Sequence, residues 1–513
     1  MPAHITLTKC KAMSRNIKEK EGGLVRTYLQ FGSSTRDLIP DSLVSTKLVQ
    51  AYIRTFQMIF PILPTSSFRE DYKAFWSDPT WSKETFDITL LLVLSIGSVF
   101  CPNEPGVTPA VTAGWTSYIV SWLSNPRIKT SLDLDILRIL CLFLLLRQVR
   151  WLSCDVPWLS SDSLVRMAMQ MGLHIDPGSQ PIPASEAEMR RRMWALILEL
   201  EVQSCMDNGN IPCVTEEDYD CLPPSNVDDT DTLDDPIVKP ICHLTQVSCQ
   251  ILLTMSLPIR LKIARFVNNY RANHSFERAL GLSSELMPVL ERCLALLGDY
   301  RISSRPPTWL QTRVFDLLVR RFLLSLHHPF TTGTISDPQY HYSHRVCLDV
   351  SIALLSETSQ SVNDDFHRLL LSGSDLYHNT YTQAALYLTG ALSSACQLQD
   401  DWLFTAAVRS EMRETVSKYL EIALARLTAS EESVETYVLV SCALAQVEAK
   451  QIRVSEDAYI FEALQKALGV CYSLLKAEDQ TFDNVDWDIM DLGTTLARVD
   501  EPLEFLQWDE AVA

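Results

Sequence analysis

An all-α fold is predicted by three features of the sequence. Apolar residues follow helical spacing, strong helix formers fill the long segments, and glycine and alternating β-branched runs are scarce. In Leu137 to Leu146 and Leu317 to Leu326, apolar residues recur at i, i+3, i+4 and i+7 or fill the segment outright. Leu, Ala, Met, Arg and Glu supply most of the periodic stretches, and all favour helix. Sixteen glycines are too few for a turn-dense β architecture. The 513 residues, 47% of them hydrophobic, can build a large core, with room for about two to four domains.

The elements read in order. Lys9, Lys11, Arg15, Lys18 and Lys20, mixed with Glu19 and Glu21, form a basic, linker-like opening over residues 1–40, either a weak patch or a solvated helix face. Asp41-Ser42 caps a helix predicted from Leu43 to Phe60, which Pro61 and Pro64 stop. Ser160-Ser161-Asp162 opens the periodic segment Leu164 to Gly172, and Pro177-Gly178 ends that region. Ser185 with Glu188 three residues on predicts a capping box for a helix from Ala187 to Met206. The Pro-, Asp- and Thr-rich stretch Pro212 to Pro240 reads as a long loop. Helices resume near His243 and continue to about Lys476, with loops near Ser303 to Pro307 and Thr331 to Tyr340. The expected organisation is therefore a segment over 1–40, a core region over 41–240, a helical continuation over 241–476 and a tail over 477–513. No repeat of fixed period appears.

Composition narrows the function. The longest apolar runs, Ile88 to Cys101 and Ile139 to Leu146, are too short to span a bilayer, so no membrane partner is expected. No apolar stretch follows the first basic residues as a secretion leader requires. Fourteen cysteines include no Cys-x-x-Cys pair; Cys242 and Cys249 are seven apart, and Cys205, Cys213 and Cys221 eight apart. Those spacings fit free thiols in a reducing compartment better than a metal or redox site. A net charge of −19 repels phosphate, so no nucleic-acid groove is expected.

Metal-assisted ionisation of a diphosphate, as in an all-helical cyclase, needs aspartates at i, i+1 and i+4 on one helix face. Asp228 and Asp229 meet Thr232 at the required place, and Pro223, Pro224 and Pro236 favour a loop. Asn363-Asp364-Asp365 lacks the downstream groups of a second metal site. Glycine-rich phosphate loops and a Gly-x-Ser-x-Gly elbow are absent from the sequence. His341, His344 and Cys347 drift around a helix axis and converge poorly, and His327-His328 precedes Pro329 at a predicted helix end. Catalytic, metal-ligating and DNA-binding residues are thus predicted as none. Arg190, Arg191 and Arg192 spread over about 200° of a helix, so they read as an amphipathic helix pairing with carboxylates such as Glu186 or Glu188.

The end of the chain changes character. From Glu478 to Ala513 eleven carboxylates accompany one basic residue, Arg498. Phe482, Trp487, Leu492, Phe505 and Trp508 are interspersed. Two readings stay open: an extended, flexible, acidic activation tail whose aromatics dock in a partner's groove, or a terminal helix packing them on the body.

Several segments together resemble a known family. They are Glu188-Met-Arg-Arg-Arg-Met-Trp194 with Arg190, Arg191 and Arg192, then Glu199 to Glu201, Gly209, Pro212, and Glu217 to Asp229 with Asp218, Pro223 and Pro224. Phe60-Pro61-Ile62-Leu63 and Phe68 precede them, as does Val165 to Asp176 with Gly172, Leu173 and His174. Arg320 to Leu324, His327-His328-Pro329-Phe330 and Tyr342 to Leu348 follow. In this order, over about residues 45–350, the segments resemble the middle homology region of fungal binuclear zinc-cluster transcription factors. Ala195, Glu201 and His328 depart from the residues most frequent there.

The resemblance implies a large helical regulatory domain, a nuclear location and control of transcription of a metabolic or biosynthetic gene set. It further implies protein partners: a homodimer or heterodimer, and the transcription machinery. The family's six-cysteine cluster is not found in this sequence, since only Cys10 precedes Cys101. No cofactor is therefore expected in the chain, with zinc expected only in an upstream cluster. DNA would be reached through a missing or partner DNA-binding domain. The opening Lys9 to Lys18 is similar to a segment lying well after the cluster in longer members, so an N-terminally shortened protein is expected, cytoplasmic if the missing part carries the import signal. The alternative reading is a helical module that senses a small-molecule effector or binds partners without a direct transcriptional role.

Overall fold

The apolar runs of the sequence become buried helices. In a computed structural model, which describes residues 6–16, 35–130, 132–150, 152, 156–179, 181–228, 238–271, 275–303, 306–331, 338–356, 364–398, 406–427 and 431–484, the elements are helices and turns, with no strand among the described residues. Helix α1 covers residues 6–16. It is followed by α2 Ser42–Arg54, α3 Thr65–Ser77, α4 Glu84–Val99, α5 Pro109–Leu123, α6 Pro126–Thr130, α7 Leu134–Val149, α8 Ser161–Gln170 and α9 Ala184–Asn208. Then come α10 Ser248–Asn268, α11 Phe276–Tyr300, α12 Trp309–His327, α13 His341–Leu355, α14 Asp365–Ser372, α15 Asp375–Leu398, α16 Ala406–Ala425, α17 Glu431–Ile452 and α18 Glu456–Asn484. The all-α expectation holds.

The chain forms two compact units. Of the described residues, one comprises those within 35–261 and 288–312; the other comprises those within 6–16, 262–287 and 313–484.

The first unit is built on α4 and α7. Every residue of α4 from Ile88 to Val99 is buried, as is every residue of α7 from Ile136 to Leu146. Such helices are apolar all round because they are covered all round. Glu84 and Asp87 sit in the first turn of α4, where negative charge suits the helix dipole. The Asp133 side chain caps α7 by accepting from the Ile136 N–H at 2.8 Å. Helices α2, α5 and α7 pack on α4. At the α2–α4 crossing, a Cβ on Gly97 would stand 2.1 Å from the Leu48 carbonyl oxygen, so only glycine admits this approach.

Asp41 caps α2 as expected, accepting from Leu43 and Val44 N–H. The helix ends at Arg54, earlier than the predicted Phe60. Thr55 turns out of helical geometry at φ −107° and ψ −91°, and its hydroxyl bonds the Ala51 carbonyl at 2.6 Å. The buried Gln57 amide then exchanges two hydrogen bonds with the Leu63 backbone, at 2.8 and 3.2 Å. A side chain thus substitutes for the helical bonds, which apolar spacing alone does not reveal.

In the second unit α15 packs on α13, α16 and α17, and α17 on α16 and α18. Short α14 lies against α15 and α16. Buried Arg426 caps α14, donating to the Leu370 carbonyl and, at 2.7 Å, to the Gly373 carbonyl. Helix α18 continues past Lys476 to Asn484, there being no Gly or Pro between them to stop it.

Gly97→Ala should lower stability by about 1–3 kcal/mol through overpacking against the α2 backbone. Gly281→Ala, with nothing within 4 Å of the added Cβ in α11, should leave stability equal or slightly raised. Urea unfolding midpoints of the two variants check this contrast.

Candidate functional site

The family-like residues from Gly172 to Pro224 converge on α9. Helix α8 starts at a Ser160–Ser163 capping box. It ends through Gly172, at φ 75°, with the Leu173 N–H bonding the Ala168 carbonyl at 3.0 Å. The chain then runs beside residues 220–222: the His174 carbonyl accepts from Asp220 and Cys221 N–H, both at 3.1 Å. The Asp176 N–H returns a 2.8 Å bond to the Asp220 carboxylate.

Asp176 is the knot of this region. Its Oδ1 accepts from Gly178 N–H at 2.8 Å and Arg191 Nη2 at 2.9 Å. Its Oδ2 accepts from Arg191 Nε at 2.9 Å and Leu222 N–H at 3.0 Å. The Arg191 fork, seconded by the two backbone N–H groups, holds this carboxyl well below the usual carboxylate range, and the same bond raises Arg191.

The three consecutive arginines serve three carboxylates, as their angular spread demands. Arg190 pairs with Glu186 at 3.2 Å, Arg191 with Asp176, and Arg192 with Glu188 at 3.2 Å. Two expectations need correction. The Ser185–Glu188 capping box does not form, because α9 starts at Ala184 behind Pro183 and Glu188 accepts from the Ser225 N–H at 3.1 Å with both oxygens. Nor is α9 amphipathic over its middle: every residue from Arg192 to Gln203 is buried. Its carboxylates reach the interior because each is ion-paired or saturated with hydrogen bonds. Glu199 holds Arg260 of α10 through two 2.7 Å bonds, with both side chains under 5% exposed. Glu201 accepts from Ser161 Oγ at 2.7 Å, Cys213 N–H at 3.0 Å and Cys205 Sγ at 3.5 Å.

The remaining family-like residues complete this frame. Trp194 is buried, its ring 6.4 Å from His174 and 5.7 Å from Tyr219. Gly209 closes α9 in the left-handed region at φ 69°. Pro212 and Pro224 are buried, whereas Pro223 is exposed. Asp218 forms a capping box with Thr215. Phe60, Pro61 and Phe68 are also buried but build a different part of the unit, Phe68 stacking with Tyr72 at 6.2 Å and meeting Phe86 at 5.5 Å. Trp487, Leu492, Phe505 and Trp508 lie outside the described residues, as does the side chain of Phe482.

Two anchors were not singled out by sequence. Asn226 donates to the Pro240 and His243 carbonyls, both at 2.9 Å, and accepts from Thr245 Oγ1 at 2.6 Å and Ser248 Oγ at 3.1 Å. It thereby ties the end of the long loop to the start of α10. Arg260 is the other; its one signal is an arginine between Ile259 and Leu261. Asp228, in the carboxylate-rich loop, pairs with Lys239 at 2.5 Å and accepts from Gln246 N–H at 3.1 Å.

Among the described residues no group of three or more His, Cys, Asp or Glu is arranged to hold a metal ion. His327 is buried between Ser343 Oγ at 2.9 Å and Ser283 Oγ at 3.0 Å, and burial pushes it down to about 4. His344 bonds the Tyr387 hydroxyl at 3.2 Å. No helix of the described residues is long and apolar enough to cross a membrane.

A small cleft open to solvent is lined by Leu63, Phe68 and Phe86 with the ion pairs Lys83–Asp71 at 2.9 Å and Arg138–Asp135 at 2.6 Å. The saturated carboxylates around α9 can hold helices in place; they present no free base or nucleophile of the kind acid–base chemistry uses.

The first unit is therefore a helical domain in which one buried, ion-paired helix ties α8, α10 and the long loop together. Residues 49–291 match the fungal specific transcription factor domain, and the chain carries that domain. Transcription factor lepE of Aspergillus flavus is 29% identical, over 91% of this chain and 59% of its own length. Transcription factor opdR of Penicillium oxalicum is 30% identical over 92% of this chain and 63% of its own length. The Aspyridones cluster regulator apdR of Emericella nidulans is 30% identical over 79% and 58%. The chain thus spans about three fifths of the length of these curated relatives. No solved structure matches it.

Asp176→Asn should destabilise the first unit at neutral pH by about 1.5–3 kcal/mol, the range of a hydrogen bond to a charged group. A carboxyl whose pKa is lowered on folding stabilises above its unfolded value, about 3.9, and loses that contribution as pH falls through the folded value. The gap between variant and wild type should therefore stay constant from pH 7 to 5 and close below pH 4, as read by urea midpoints across pH.

Glu199→Leu or Arg260→Met alone should cost about 3–5 kcal/mol by leaving one buried charge unpaired, and the double substitution clearly less than the sum. A double-mutant cycle of unfolding free energies measures the difference.

Proposed function

We propose that this chain is the regulatory part of a nuclear transcription regulator of a metabolic or biosynthetic gene set, acting through protein contacts and without catalysis. The observation that carries the reading is the fungal specific transcription factor domain over 49–291, whose bounds enclose the whole α9 network. The relatives support it: two are transcription factors and one is a cluster regulator. The net charge of −19 supports a division of labour in which DNA is reached through a separate module or a partner. The acidic, aromatic segment from Glu478 to Ala513 has the composition of an activation tail.

Deleting the coding sequence from its host should change transcript levels of a contiguous gene set. Fusing the full chain to a heterologous DNA-binding domain should alter a reporter, and alanine at Trp487, Phe505 and Trp508 should reduce that effect. Unchanged transcripts together with a silent fusion would overturn the proposal; a fusion indifferent to the three alanines would remove only the tail from it.

A further inference from the structure

Helix α1 has eleven residues, fewer than an isolated helix needs to persist in water. It is helical where it lies on α16, α17 and α18. Leu7, Cys10, Met13 and Ser14 make a stripe at i, i+3, i+6 and i+7. Cys10 is fully buried with Leu427, Val434, Cys471 and Leu475, and Leu7 and Met13 pack around it beside Tyr437 and Tyr472. At the rim Lys11 pairs with Glu435. Ser14 is only 2% exposed, and among the described residues nothing bonds its hydroxyl. Such an unpaired group reduces what docking gains.

We propose that α1 is a detachable helix: it docks on and leaves an apolar groove of α16, α17 and α18 while the rest of the second unit stays folded. The groove reads its occupant by an apolar residue, a small residue three positions on, and a cation directly after it facing Glu435. A second helix with that pattern competes for the same place. The inference does not depend on the transcriptional reading, since it rests on packing within one unit.

The test alkylates the native full chain with iodoacetamide and maps labelled cysteines by mass spectrometry. Cys347, buried in α13, is the control for unfolding of the whole unit. In the wild type Cys10 and Cys471 should react together and faster than Cys347. Ser14→Glu forces a charge into the buried site and should raise both at least tenfold with Cys347 unchanged. Lys11→Glu should raise them a few-fold, and adding Glu435→Lys should reverse that rise. A peptide of residues 6–16 carrying Cys10→Ala, which offers the reagent no thiol, added to the Ser14→Glu chain should protect Cys471 but not Cys10 of the chain. The proposal is overturned if Cys10 and Cys471 follow Cys347 in every variant, because α1 would then leave only when the unit unfolds. It is overturned equally if they open but the peptide leaves Cys471 unprotected, because the groove would then not survive the helix's departure.

Discussion

The first unit depends on one requirement: each charge that α9 carries into the interior must find its partner. A lone buried carboxylate or guanidinium is costly, and a well-formed pair roughly offsets that cost. Four carboxylates and three arginines, Arg191, Arg192 and Arg260, meet the requirement, most of them by reaching different elements. Asp176 and Arg191 hold the turn after α8, Glu188 holds Ser225, Glu201 holds Ser161 and the Cys213 backbone, and Glu199 with Arg260 holds α10. The pairs add little net stability as pairs. Their effect is on choice, because any other packing of α9 strands a charge.

The same requirement explains what could be read in advance. The helices were readable because a buried helix leaves long apolar runs, as in α4 and α7, and because Asp41 and Ser160 are local capping signals. The amphipathic reading of α9 failed because periodicity counts charges as solvent-facing, while Glu199 and Glu201 lie in the interior. Their partners, Arg260 and Ser161, are distant in sequence, and no spacing rule links them. The Ser185–Glu188 motif misled for a related reason: a glutamate that fits a local cap satisfies instead the Ser225 N–H 37 residues away. Family resemblance located the network more closely than physical pattern did. It singled out the segments around Gly172, Arg190 to Arg192 and Gly209, yet not the bonds among them.

The two units handle a buried guanidinium in different ways, and the contrast shows what each arrangement achieves. Arg260 faces a carboxylate, so its charge is neutralised and two helices are joined by a planar, bidentate contact. Arg426 faces carbonyl groups at the end of α14, where the helix dipole presents partial negative charge. Burial pushes Arg426 down from the usual arginine value, against which Tyr419 and Asp375 act. The carbonyls take hydrogen bonds from its two Nη groups, leaving the buried Nε without an acceptor among the described residues, and they do not cancel its charge. Fixing α14, an eight-residue helix too short to be stable alone, therefore draws on the two Nη groups of a buried cation. In both cases a short or charged helix persists because a distant arginine completes it, so the order of these elements is a property of each packed unit as a whole.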